Sequence, residues 1–105
     1  MSIEPLENAV EAEAAASTVK RVVKICNQKG LHARAAARFV KTAHEFDAEI
    51  WVRKNGTIVN GRSIMGLMML AAAPGTVIEL AATGRQAQAA VTALTELIEC
   101  KFDEE

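Results

Sequence analysis

The chain has 105 residues, of which 50% are apolar, and a formal net charge of −1. This length fits a single domain with one core, and no apolar stretch reaches the ~20 residues that a membrane-spanning helix needs. We therefore expect a folded domain that neither crosses nor binds a membrane.

The charge is unevenly distributed along the chain. Residues 1–17 contain four Glu and no basic residue, and residues 103–105 are all acidic, whereas residues 18–102 hold all twelve Lys and Arg against six acidic residues. Such a surface suits phosphate or an acidic partner. With 4% aromatic residues, it does not indicate nucleic-acid binding. Four of the bases lie close to His32 in sequence: Lys29, Arg34, Arg38 and Lys41. A solvated helix face would explain Arg38 and Lys41 equally well.

Residues 1–17 differ in composition from the rest. They are rich in Ala and Glu, are interrupted by Pro5, and lack the basic start and apolar run of a signal peptide. We expect a flexible acidic extension over 1–17, a domain over 18–105 and a cytoplasmic location.

Cys26 and Cys100 form no CxxC motif, and the absence of an export signal favours two reduced thiols.

The hydrophobic pattern predicts alternating strands and helices. Apolar alternation indicates strands, helical spacing of Ala36, Phe39, Val40 and Ala43 indicates a helix, and Asn55-Gly56 indicates a tight hairpin. In order, the prediction is a strand at 19–26, a helix at 33–44, strands at 48–53 and 57–60, a helix at 63–71, a strand at 76–82 and a helix at 85–101. Short connections in this order predict an α+β fold: an open-faced sandwich, with a four-stranded antiparallel sheet covered by three helices on one face.

Gly30-Leu31-His32-Ala33-Arg34 lies where a loop meets the first predicted helix. The first N–H groups of a helix lack partners within it and, with the helix dipole, favour an anion. Neutral imidazole is a competent nucleophile near pH 7, and the planar guanidinium of Arg34 suits phosphate oxygens. These five residues therefore meet the requirements of a phosphohistidine site, although His32 could also serve only as a helix cap.

Residues 19–102 resemble the HPr family of the phosphoenolpyruvate-dependent phosphotransferase system. Residues 30–34 match its active-site motif, Asn55-Gly56 falls at its hairpin, and residues 62–67 resemble its second-helix signature, all in register. The resemblance implies a stoichiometric phosphocarrier rather than a turnover enzyme. His32 would receive PO₃ on Nδ1 from enzyme I and pass it to an enzyme IIA, with Arg34 contacting the phosphoryl group. The family usually has Pro where this chain has Ala35, a difference that should loosen the helix start slightly.

The second predicted helix carries two further sites. Ser63 is predicted to cap it, and it matches the serine that an HPr kinase phosphorylates in many relatives. The run 64–70 is apolar around the whole helix, so part of it should face solvent. The resemblance makes Ile64, Met65 and Met68 an exposed patch where partners dock beside His32; burial of the whole set is the alternative.

Alternative functions remain open at this point. Within the family, segments such as Phe46-Asp47-Ala48-Glu49 and the closing Phe102-Asp103-Glu104-Glu105 look like the nitrogen-related branch, whereas the other branch feeds sugar permeases. Outside it, the chain could be an α+β interaction module, or an enzyme with His32 as general base. We expect no metal and no cofactor, since the sequence has no metal-ligand spacing and no nucleotide-binding glycine loop.

Overall fold

The computed structural model describes residues 18–104, so the predicted extension over 1–17 lies outside the described residues. The elements are β1 Val19–Lys24, α1 Ala33–Ala43, β2 Glu49–Lys54, β3 Thr57–Asn60, α2 Ile64–Met69, β4 Val77–Thr83, α3 Ala87–Glu99 and a 3₁₀ turn over Lys101–Asp103. Apart from the final turn, this is the predicted order. None of the helices within 18–104 is long and apolar enough to cross a bilayer.

The strands form one antiparallel sheet in the order β1-β4-β2-β3. Side chains alternate between its faces: Ile78 and Leu80 of β4 are buried, and Val52 of β2 lies opposite Leu80 in the same core. Trp51 lies half-buried on the opposite face, as its position between Ile50 and Val52 predicts. Asn55 adopts a left-handed conformation (φ 55°) in the turn between β2 and β3, which confirms the predicted hairpin.

The helices bury the apolar stripes that their sequences predict. In α1, Phe39 is fully buried together with Ala35, Ala36 and Ala43. The buried side chains of α3 include Val91, Leu94 and Ile98. Both helices and α2 lie over the same face of the sheet, with α2 packed against α1. The predicted open-faced sandwich is therefore confirmed.

Side-chain hydrogen bonds satisfy both ends of α2, and the one from Lys54 of β2 ties the helix to the sheet. The Nζ of Lys54 donates to the carbonyl oxygens of Leu70 and Ala71 at 2.9 and 3.2 Å, where α2 ends. At the start, the hydroxyl of Ser63 accepts from the N–H of Gly66 at 2.9 Å, so Ser63 is the N-cap as predicted. With six residues, α2 is short, and these end contacts satisfy backbone groups that the helix itself leaves unpaired.

The chain beyond α3 does not continue as a right-handed helix to residue 101. Lys101, Phe102 and Asp103 adopt positive φ angles of 58°, 55° and 60°, a conformation that is costly for residues other than glycine. The Phe102 side chain is fully buried in the core. Burial of this aromatic side chain contributes ~1.5–3 kcal/mol, which offsets part of the strain and fixes the path of the C-terminal residues. The predicted helix is therefore too long by about one half-turn.

Candidate functional site

The loop before α1 follows a tight path that only glycine permits. Gly30 has φ 69°, and a Cβ at this position would lie 2.5 Å from the carbonyl oxygen of Ala72. The next N–H, of Leu31, donates to the same oxygen at 2.9 Å, so the loop is held against the segment that follows α2. This contact fixes the point at which the chain enters the helix.

His32 is the N-cap of α1. Its backbone is extended (φ −81°, ψ −177°), its carbonyl oxygen accepts from the N–H of Ala36 at 2.8 Å, and its Nδ1 accepts from the N–H of Arg34 at 3.2 Å. The ring is not buried, since 26% of the side chain is exposed, and it lies beside the first donors of the helix. The predicted arrangement of an imidazole at the mouth of the helix is therefore present.

The second ring nitrogen of His32 has a partner at the other end of the chain. Nε2 lies within hydrogen-bond distance of a carboxylate oxygen of Glu104, and the other oxygen of that carboxylate accepts from the Nδ2 of Asn27 at 3.1 Å. Asn27 is fully buried and also donates to the carbonyl oxygen of Gly30 at 2.8 Å. Asn27 thus connects the glycine turn to the carboxylate that faces the ring.

Glu104 is held as a carboxylate by its surroundings. Burial raises its pKa, but hydrogen bonds with Asn27 and His32 and the charges of His32 and Lys29 outweigh burial, so the pKa lies below its ordinary value. At neutral pH the ring of His32 therefore faces an anion at Nε2.

The site opens into a polar surface cavity of about 560 Å³. Its lining comes from the loop, the start of α1 and the C-terminal residues: Gln28, Lys29, His32, Ala33, Arg34 and Glu104. Within residues 18–104, neither Lys29 nor Arg34 forms an ion pair with a carboxylate. Two cations without a close ion pair thus border the cavity on which the imidazole opens.

The four bases near His32 in sequence divide into two pairs in space. Lys29 and Arg34 border the cavity. Arg38 lies one turn further along α1 and pairs with Asp103 at 3.5 Å, and Lys41 is exposed in the last turn. The alternative interpretation, a solvated helix face, therefore fits Arg38 and Lys41.

The apolar run in α2 separates into core and surface. Leu67 and Leu70 are buried, whereas Ile64, Met65 and Met68 are 41%, 71% and 43% exposed. Complete burial of this run is therefore wrong. Because α2 packs against α1, these side chains and Ser63 belong to a helix that neighbours the one carrying His32. We call Ile64, Met65 and Met68 the apolar patch; its docking role stays a prediction.

Asn27, Glu104 and the anchor Phe102 did not emerge from the sequence as site residues. Nothing in the local pattern marks Asn27, which looks like an ordinary loop residue. The only signal for the other two was a single Phe followed by acidic residues beyond the last apolar helix position. His44 is the exposed C-cap of α1. Cys26 and Cys100 are free thiols, as expected.

Comparison with known proteins agrees with this geometry. Residues 19–100 match a family model described as "PTS HPr component phosphorylation site". The chain is 55% identical over 86 residues to the phosphocarrier protein HPr of Neisseria meningitidis serogroup A, covering 82% of this chain and 97% of that protein. It is 43% identical over 86 residues to the phosphocarrier protein NPr of Shewanella violacea, covering 82% and 94%.

A solved structure is similar over the same region. The crystal structure of HPr-C-His from Thermoanaerobacter tengcongensis superposes with a TM-score of 0.80 and 47% sequence identity, covering 83% of this chain and 98% of that one. The family model spans most of the chain, and the relatives are matched along nearly their whole length. The chain therefore belongs to the HPr family of the phosphotransferase system, the phosphocarriers whose members interact with enzyme I and enzyme IIA.

Proposed function

We propose that this chain is a histidine phosphocarrier that accepts a phosphoryl group from phosphorylated enzyme I on Nδ1 of His32 and passes it to an enzyme IIA. The group would come originally from phosphoenolpyruvate, and the relay would operate in the cytoplasm. The chain would act stoichiometrically, because each molecule holds one group until an acceptor removes it. The single observation that supports this most is the placement of His32 Nδ1 beside the N–H of Arg34 at the start of α1.

The transfer step follows from that placement. The lone pair of Nδ1 forms the new N–P bond while the bond between phosphorus and the donor's leaving group breaks. The N–H of Arg34, which now donates to Nδ1, then donates to a phosphoryl oxygen, and the Arg34 side chain supplies a second, charged donor. The backbone donor is fixed by the helix before the group arrives, so it needs little reorganisation. Transfer to the acceptor runs the same step in reverse.

One labelling experiment tests this function. The chain is incubated with purified enzyme I and phosphoenolpyruvate labelled in the phosphoryl group, and the bound label is measured after acid and base treatment. We expect one acid-labile, base-stable phosphate per chain, lost in His32→Ala and retained in His44→Ala, the matched exposed histidine. An interaction module would take no label, and an enzyme would turn substrate over rather than bind label stoichiometrically. Label that persists in His32→Ala would also contradict the proposal.

The nitrogen-related branch is our preferred setting for this relay. It is supported by the residue similarities at 46–49 and 102–105 and by the resemblance to the Shewanella NPr. The sugar-transport branch is the second candidate, since the chain is 55% identical to the relative named HPr and 43% identical to the one named NPr. Rates of transfer from the phosphorylated chain to a nitrogen-related and to a sugar-specific enzyme IIA decide between them, since the correct acceptor should react much faster.

Ser63 is proposed as a second phosphorylation site, for an HPr kinase. Its hydroxyl is half-buried and accepts from the N–H of Gly66, so a phosphate there would sit at a helix N-terminus that tolerates negative charge. It would also add charge beside the apolar patch. Purified kinase with ATP should label the chain, and Ser63→Ala should abolish the label; equal labelling of that variant would exclude Ser63 as the site.

A further inference from the structure

The C-terminal residues bring a carboxylate to the back of the histidine ring, and nothing in the transfer step above uses it. Glu104 contacts Nε2, whereas the phosphoryl group would be attached at Nδ1. These two nitrogens lie on different edges of an imidazole, so the carboxylate does not occupy the place of the phosphoryl group. Its own partners are Asn27 and His32 rather than the Arg34 donors, which stay available.

The hydrogen bonds of the ring select one tautomer. Nδ1 accepts from the N–H of Arg34, so it carries no proton in the neutral ring. Nε2 faces a carboxylate, which can only accept, so the proton resides on Nε2. Two independent contacts therefore leave the lone pair on the nitrogen that acts as nucleophile.

The position of Glu104 is built by three contacts that surround it. Phe102, fully buried two residues earlier, anchors the chain in the core. The exposed ion pair between Asp103 and Arg38 of α1, at 3.5 Å, contributes little to this position. The N–H of Glu104 donates to the carbonyl oxygen of Lys101 at 3.0 Å. Buried Asn27 then holds one carboxylate oxygen, so the other is directed at Nε2.

We propose that Glu104 is a positioning residue for phosphoryl transfer: its carboxylate, held by Asn27, keeps the proton on Nε2 and stabilises the positive charge that the ring acquires when Nδ1 bonds to phosphorus. This proposal rests on the proposed function of His32. The proton on Nε2 does not leave during the step; the ring becomes cationic as the N–P bond forms, and the cation faces a fixed anion. The relation resembles that of the carboxylate to the histidine in a serine-protease triad.

The same contact predicts how the phosphorylated state behaves. A phosphoimidazole that keeps its Nε2 proton is cationic, and this form gives up its phosphoryl group more readily than the neutral form. The other charged groups that border the ring, Lys29 of the loop and Arg34 of α1, are basic and oppose the cationic form. Among the residues that line this cavity, Glu104 is the one acidic group, and it favours the cationic form.

The test compares Glu104→Gln, Glu104→Ala and the matched control Asp103→Asn, which removes an acidic charge at the adjacent residue. Rates of phosphoryl acceptance from enzyme I are measured first. We expect both Glu104 variants to react about tenfold more slowly at saturating enzyme I, the cost of losing one charge-assisted hydrogen bond, with Asp103→Asn close to the wild type. Because Gln keeps the shape but not the charge, equal losses in Gln and Ala identify the charge as the cause.

The second measurement is the hydrolysis of the isolated phosphorylated chain as a function of pH, which a purely structural role would not change. We expect the Glu104 variants to hydrolyse more slowly near neutral pH and their profile to move to lower pH, with Asp103→Asn unchanged. Wild-type rates and profiles in both Glu104 variants would overturn the role of Glu104 while leaving the phosphocarrier intact. A wild-type chain that takes no phosphoryl group from enzyme I would overturn both proposals.

Discussion

The backbone N–H of Arg34 lies 3.2 Å from Nδ1 of His32, and the Arg34 side chain borders the same cavity as the ring. One residue therefore presents two donors, and substitution by Ala removes the guanidinium while keeping the backbone N–H. We expect Arg34→Ala to keep the helix cap but to accept phosphoryl groups roughly 10- to 100-fold more slowly, the range for hydrogen bonds to charged groups. The rate of Arg34→Lys should fall between those of the wild type and Arg34→Ala, since an ammonium supplies charge without the planar fork.

The comparison is made by stopped-flow or quenched-flow transfer from phosphorylated enzyme I, with Arg38→Ala as the matched control one turn away on α1. Because Arg38 pairs with exposed Asp103 and does not line the cavity, its removal should change the rate little. An Arg34→Ala variant that reacts at the wild-type rate would mean that the backbone donor suffices.

Gly30 and Gly75 form a matched pair for testing the turn before α1. Both have positive φ, 69° and 88°, but a Cβ at Gly75 would meet nothing within 4 Å, whereas one at Gly30 would lie 2.5 Å from the Ala72 carbonyl oxygen. We expect Gly75→Ala to lower the free energy of unfolding by about 1–2 kcal/mol, the cost of a left-handed residue with a side chain. Gly30→Ala should cost distinctly more, measured by urea denaturation, and should also slow phosphorylation. Equal losses of stability in Gly30→Ala and Gly75→Ala would mean that the loop moves to relieve the contact with Ala72.

The apolar patch on α2 makes a prediction about affinity rather than stability. Met65 is 71% exposed, so Met65→Ala should leave the unfolding transition almost unchanged. If the patch docks partners, the dissociation constant for enzyme I should rise by about fivefold or more, the effect of losing a side chain worth 1 kcal/mol at an interface. Ile58→Ala is the matched control, since Ile58 is similarly exposed at 58% but lies on the open face of the sheet. Unchanged binding by Met65→Ala would make that residue a bystander.

Glu104 should make the stability of the domain depend on pH in the acidic range. Its folded-state pKa lies below the ordinary value, so its contribution is present above the unfolded pKa and is lost as the pH falls through the folded pKa. We expect the wild type to be more stable than Glu104→Gln at pH 7. The difference should begin to shrink near the ordinary pKa range of Glu, about pH 4, and disappear only below the lower folded-state pKa. Thermal unfolding of both proteins from acidic to neutral pH measures this; a difference that does not shrink as the pH falls would contradict it.

Ser63→Ala tests the cap of α2 independently of any kinase. The variant leaves the N–H of Gly66 without its acceptor, so the free energy of unfolding should fall by about 1 kcal/mol. Gln88→Ala, which removes an exposed side-chain hydrogen bond on α3, is the control and should cost less. A loss no larger than that of the control would show that water replaces the hydroxyl.

The fold and half of the site follow from local patterns in the sequence. The alternation around Trp51 and the spacing of Phe39 and Val40 depend on periods of two and 3.6 residues that a single segment displays. His32 and Arg34 are two positions apart, so one turn of helix brings them together. Such features need no knowledge of how distant segments meet.

The other half depends on contacts between distant segments. Asn27 and Glu104 are separated by 77 positions, and their meeting requires the chain to turn left-handed through three successive residues so that Phe102 reaches the core. Propensity argues against that conformation, and burial of the Phe102 side chain offsets part of its cost. The end of α3 was predicted too late for the same reason.

The order of the strands has a consequence for how the protein is made. β1, near the start of the domain, pairs with β4, which also forms the centre of the sheet by pairing with β2. Contacts between segments so far apart in sequence form slowly, because a long loop must close before they are gained. During synthesis, β1 and the β2–β3 hairpin have no common neighbour until β4 has left the ribosome. His32 is synthesised before β4, α3 and its partner Glu104, so its folded surroundings form only after those segments have emerged.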